Sequence, residues 1–165
     1  MSTRILKYLF QFILLVLVEV LFLKNIPFLG FATPYVYILF ILTFPMKFRR
    51  TLFLIIAFAL GASIDIFLDT LGLHIFSTVL IAFLRPYILN LFVAKDDYFC
   101  PNVQYIGLAP FVKYAIVMIF IHHIVLFSLE AFSFVHFWLL LLKVLLNVLF
   151  SSLLILATQI YSRKK

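Results

Sequence analysis

The groups through which this chain could do chemistry are few: six acidic residues and four histidines among 165 residues, most of them inside long apolar runs. An ionisable group in hydrocarbon is costly, so each one marks either a packing contact or a functional path. Lys7, Gln11, Leu15 and Glu19 recur at four-residue intervals, and Lys143, Asn147 and Ser151 do the same near the other end of the chain. Residues four apart share one face of a helix. Glu19 lies roughly four residues, and Lys143 roughly seven, in from the same side of a bilayer, so at about 1.5 Å per residue their depths nearly match. The spacing therefore predicts that Glu19 and Lys143 pair, directly or through a shared polar cluster, and so orient the helices that carry them. A proton or substrate path is the functional alternative.

Ala57, Gly61 and Asp65 form a second stripe. Small residues at that spacing let another helix approach closely. Read as packing, Gly61 is a notch and Asp65 caps or bonds a neighbouring backbone group. Read as function, the stripe faces a partner or gates. Asp69, Gly72 and His74 follow in a short loop. Arg85-Pro86 interrupts a later apolar run; proline frees a carbonyl one turn earlier, and a guanidinium can satisfy such carbonyls. The expected polar company of Arg85 is Tyr8, Gln11 and Tyr87. His122 and His123 have the chemistry of metal ligands but not the arrangement, because helical metal sites draw on residues three or four apart. One ring is expected to face the bundle and the other the headgroup region or a partner helix, with no metal and no cofactor.

The sequence contains no phosphate-cradling glycine loop, no HExxH and no GxSxG. No serine near the apolar runs stands in an evident nucleophile-and-base arrangement, so a non-enzymatic protein is expected. Cys100 is the sole cysteine, which excludes an intrachain disulfide and a cysteine-built metal site.

The elements that must position these residues are membrane spans. The chain is 67% hydrophobic and 12% charged, with a mean hydropathy of +1.26, whereas a soluble domain is about half apolar and about a quarter charged. The pattern predicts an all-α, polytopic membrane protein forming a single domain, 1–165. Its six helices are placed at about 5–23, 33–46, 51–68, 72–93, 109–130 and 135–160. The second is short, bounded by Pro34 and Pro45, and is tilted or partly re-entrant in the five-span alternative. The first run follows Arg4 and Lys7 like a signal peptide, but Lys24-Asn25-Ile26-Pro27 offers no small-x-small cleavage site, so it is expected to be retained. Pro27 with Gly30, and Lys95-Asp96-Asp97 with Pro101, mark loops.

Ten basic residues then fall on one side (Arg4, Lys7, Lys47, Arg49, Arg50, Lys95, Lys113, Arg163, Lys164 and Lys165) against Lys24 on the other. This is a positive-inside pattern with both termini cytoplasmic. The net charge of +7 is accordingly topological, with no aromatic-interleaved patch for nucleic acid.

An ordered set of elements runs through the chain. It comprises Asn25-Ile-Pro-Phe-Leu-Gly30, Pro34-Tyr-Val-Tyr-Ile-Leu-Phe40, Gly61-Ala-Ser-Ile-Asp65-Ile-Phe67, Asp69-Thr-Leu-Gly72-Leu-His74 and Leu84-Arg-Pro-Tyr87. Lys113-Tyr114, His122-His-Ile-Val-Leu-Phe127, Leu129-Glu130, Phe132-Ser-Phe134 and His136-Phe-Trp138 complete it. Over nearly its full length the chain resembles the rod shape-determining MreD family in its Bacteroidetes-type form. The resemblance implies a scaffold or regulator of the elongation complex in the bacterial inner membrane, without enzymatic activity. Its implied partners are the single-span MreC and, through the complex, MreB, RodA and the RodA-associated transpeptidase, in support of lateral peptidoglycan synthesis and cell shape. The Ala57/Gly61/Asp65 stripe is the first candidate surface for MreC, and His122/His123 the second. The rival class is a substrate-binding subunit of an energy-coupling-factor vitamin transporter, or another small-molecule binder. Such subunits typically grip their coupling protein through Ala-x3-Ala in the first span, and Ile5–Leu23 contains no alanine.

Overall fold

The computed structural model describes residues 2–23, 33–93, 100–131 and 137–163, and among these it contains seven helices and no strand. They are α1 (Ser2–Val18), α2 (Ile38–Thr43), α3 (Arg50–Leu68), α4 (Leu73–Leu89), α5 (Val103–Ile106), α6 (Leu108–Ala131) and α7 (Phe137–Arg163). A π-helical turn, Glu19–Leu23, extends α1. The loops around Pro27 and around Lys95-Asp96-Asp97, and the elements at 132–136, lie outside the described residues.

Four stretches are long and apolar enough to cross a bilayer: Ile5–Leu23, Arg50–Leu68, Leu108–Ala131 and Phe137–Ser162. Helix α4 is apolar but shorter, at 17 residues. It ends at Leu89, and the rest of the expected 72–93 span is turn. Large apolar side chains cover the outer face of α1 and α7, including Leu6, Phe10, Phe22, Trp138 and Leu153. That is the surface a helix presents to lipid rather than to water.

The stretch expected to be a short second helix is different in kind. Only six residues are helical, and 33–36 is unwound. Yet it is deeply enclosed, with Tyr37, Ile38, Ile41 and Leu42 fully buried. It runs antiparallel to α1: Val36 meets Glu19, Thr43 meets Gln11, and Phe44 packs on Tyr8. Helices α3 and α4 pack as a hairpin, α6 lies against α4, and α7 against α6.

The two ends of the bundle are distinguishable. At one, Tyr8 reaches Cys100, Gln104 donates to the Ser162 carbonyl, and Arg50 lies on Phe83 and Tyr87. Lys7, Lys47, Arg49, Arg50 and Lys113 are exposed there, making it the basic end. At the other end the α3–α4 turn closes through two left-handed residues, Asp69 (φ 56°) and Gly72 (φ 87°). Aspartate tolerates that conformation better than most side chains, and glycine has no Cβ to object.

Candidate functional site

The polar interior is built around the unwound segment. An unwound backbone cannot satisfy its own amides, and in an apolar interior each one needs an acceptor. Three side chains supply them. The Thr33 amide donates to Asn147 Oδ1 at 2.8 Å, the Tyr35 amide to Ser151 Oγ at 2.9 Å, and the Val36 amide to Glu19 Oε2 at 2.9 Å. The register follows from geometry: two extended residues and one turn of helix both span about 6 Å, so Thr33 and Tyr35 match Asn147 and Ser151.

The expected Glu19–Lys143 pair does not form. Lys143 instead meets Glu130 at 2.6 Å and lies over the Phe127 ring, while Glu19 is buried against the unwound backbone. The reason is local. Glu130, at the end of α6, is the carboxylate nearest in space to Lys143, and the amides of the unwound segment claim Glu19. What joins the stripes of α1 and α7 is the backbone that Glu19, Asn147 and Ser151 hold in common. Gln11, on the same face of α1, donates to Thr43 Oγ1.

Both histidines of α6 face inward, so the expectation that one reaches the headgroups or a partner is corrected. His123 Nδ1 donates to the Ile119 carbonyl at 2.7 Å, which leaves Nε2 to accept from Ser151 Oγ at 3.2 Å. His122 Nε2 sits 2.8 Å from the Tyr37 hydroxyl. Tyr35 packs against His74, His122, His123 and Phe127, so these rings form one aromatic cluster.

The Ala57/Gly61/Asp65 stripe is also turned inward, onto α4. A Cβ on Gly61 would stand 2.6 Å from the Ile75 Cα, closer than any real contact, so glycine is what lets the two backbones touch. Asp65 then caps α4 from outside it. Its Oδ2 accepts the Ile75 amide at 2.9 Å, and its Oδ1 accepts the His74 amide at 3.1 Å and the Thr70 hydroxyl at 2.5 Å. The His74 ring closes the group, with Nδ1 2.9 Å from Asp65 Oδ1. Neither this stripe nor the histidine pair lies on a free face of the chain.

Arg85, fully enclosed in α4, satisfies carbonyls as expected, but on another element. Its Nη2 donates to the carbonyls of Phe44 and Leu42, its Nε to the Tyr114 hydroxyl, and its guanidinium lies over Phe53. Helix α2 stops at Thr43 before Pro45, which leaves those carbonyls without helical partners. The expected company is spent elsewhere: Tyr8 on Cys100, Gln11 on Thr43, and Tyr87 on Arg50.

Between the ends of α1, α3 and α6 and the start of α4 lies a cavity of about 170 Å³ whose lining combines Glu19, Thr33, Tyr35, Thr70, His74 and Glu130 with Leu68, Leu73 and Leu126. Among the described residues, two buried atoms here lack a hydrogen-bond partner, Glu19 Oε1 and His74 Nε2. His74, expected in the loop after Asp65, lies instead in the first turn of α4, while Thr70 and Tyr35 were expected only as parts of the family elements. A signal was present, since His74 follows Asp65 by nine residues across a turn short enough to fold it back.

Fold and interior together define a helical membrane protein with a polar interior, part of which is gathered on one unwound segment. No family model, curated protein or solved structure matches the chain.

Proposed function

We propose that the chain is a non-enzymatic membrane scaffold of the MreD type, crossing the bacterial inner membrane six times with both termini cytoplasmic. In this reading the unwound segment and α2 together make the second crossing, and the basic end faces the cytoplasm. The partner is a single-span, MreC-like protein, and the assembly supports lateral wall synthesis and rod shape.

One observation carries the reading. The elements on which the resemblance rests are the joints of this fold: Tyr35 and Tyr37 on His122 and His123, Gly61 and Asp65 against the start of α4, and Arg85 on the end of α2. A family resemblance confined to lipid-facing leucines would carry little weight, because any apolar residue serves there. With the stripe and the histidines enclosed, the partner surface is sought on the exposed faces of α1 and α7.

The test is mild-detergent purification of the tagged protein from cells that make it, together with deletion of its gene. Stoichiometric recovery of a single-span partner with an extracytoplasmic domain, and loss of rod shape on deletion, are the expected results. Unchanged cell shape and no such partner would overturn the proposal.

A further inference from the structure

We propose that the cavity between Glu19 and His74 is a binding site for a primary ammonium group. It begins with two acceptors that nothing in the described chain uses. Glu19 is 1% exposed; Oε2 takes the Val36 amide, and Oε1 is left without a partner. His74 is 2% exposed, and its Nδ1 faces the same Asp65 oxygen that accepts the Thr70 hydroxyl. An oxygen already acting as acceptor fixes the ring proton on Nδ1, so in the neutral ring Nε2 presents a bare lone pair. Leaving a buried acceptor unpaired costs roughly 1–3 kcal/mol, and the fold bears that cost twice around one cavity.

The occupant that fits must donate to both acceptors and carry positive charge toward Glu19, since the rim carboxylate of Glu130 is already held by Lys143. A primary ammonium has three N–H donors on one atom. Tyr35, also in the lining, adds a ring face of the kind that attracts cations. A metal ion fits less well: among the described residues no group of three or more His, Cys, Asp or Glu side chains is placed to hold one. At about 170 Å³ the cavity takes a group of several heavy atoms rather than a whole cofactor. It lies at the end of the bundle opposite Lys7, Lys47, Arg49, Arg50 and Lys113, with Lys143 at its rim on Glu130, and there the amine of a lipid headgroup and a soluble amine are both within reach. The site stands whether or not the scaffold reading does.

The experiment is thermal unfolding of the full-length protein in detergent, titrated at matched pH and ionic strength with ethanolamine, tetramethylammonium or potassium chloride. A parallel set uses nanodiscs of phosphatidylethanolamine or phosphatidylcholine. The expected result is saturable stabilisation by ethanolamine alone, since tetramethylammonium has the charge without the N–H donors. Stabilisation only in phosphatidylethanolamine nanodiscs would equally support the site and identify the lipid as the source. Glu19→Gln keeps an oxygen for the Val36 amide and should raise the dissociation constant about tenfold or more. If that variant does not fold, the contrast among cations on the wild-type protein decides the matter. Equal responses to all three salts, with no difference between the two lipids, would overturn the proposal, as would undiminished affinity in folded Glu19→Gln.

Discussion

At the basic end of the bundle, Arg85 places its guanidinium on two carbonyls, a hydroxyl and an aromatic face. At the opposite end, Glu19 and His74 are enclosed as thoroughly as Arg85, yet each keeps an atom unpaired beside a cavity. Burial alone therefore says little about role. A buried polar group whose hydrogen bonds are all made is part of the frame. One left partly unmade, next to open space, is where a ligand can be recognised, because stability is given up there and is recoverable only by binding.

The sharpest way to break this contrast is Arg85→Ala. It takes the guanidinium from the Phe44 carbonyl and leaves the Leu42 carbonyl to the Tyr114 hydroxyl alone, at roughly 1–3 kcal/mol for a buried group left unsatisfied, and it empties the space that the side chain fills. Loss of monodisperse protein, or the deepest fall in melting temperature of any variant here, is expected in detergent. A melting temperature close to wild type would mean that Arg85 is not part of the frame.

Gly61→Leu comes next. The first side-chain carbon already collides with the backbone of Ile75, so α3 and α4 must part, at about 1–3 kcal/mol or more. Because α4 also carries His74, the same variant should lower both the melting temperature and ethanolamine affinity. An effect on affinity with no effect on melting would separate the two.

The smallest expected effect on stability is that of Glu19→Gln, within about 1 kcal/mol of wild type, since one orphaned carboxylate oxygen disappears while the Val36 amide keeps its acceptor. Arg85→Ala and Glu19→Gln should thus differ widely in melting although both alter an enclosed charged residue. A large loss with Glu19→Gln would place Glu19 with the frame.

Helical periodicity made one part of this legible in the sequence. Ala57, Gly61 and Asp65 fall on one face whatever the surroundings, and a notch followed by a cap is what small residues and a carboxylate supply. The stripe of Asn147 and Ser151 was legible for the same reason. Its destination was not, because an apolar stretch between Pro34 and Pro45 has the pattern of a helix that satisfies its own amides. Once those amides need acceptors, Glu19 is drawn away from Lys143, and Lys143 turns to Glu130. Arg85 shows the same limit: that it would serve carbonyls followed from the adjacent proline, but whose carbonyls depended on where another helix stops. Periodicity tells which face of a helix is polar. It does not tell which non-helical stretch will come to lie on it.

The amides of the unwound segment also bear on how the protein is made. Thr33 and Tyr35 rely on Asn147 and Ser151, more than a hundred residues further along the chain. While synthesis is under way those acceptors do not exist, and Glu19 alone is in place. The unwound segment and α2 therefore cannot settle in the order in which they are made; two of the segment's amides find their acceptors only when α7 arrives.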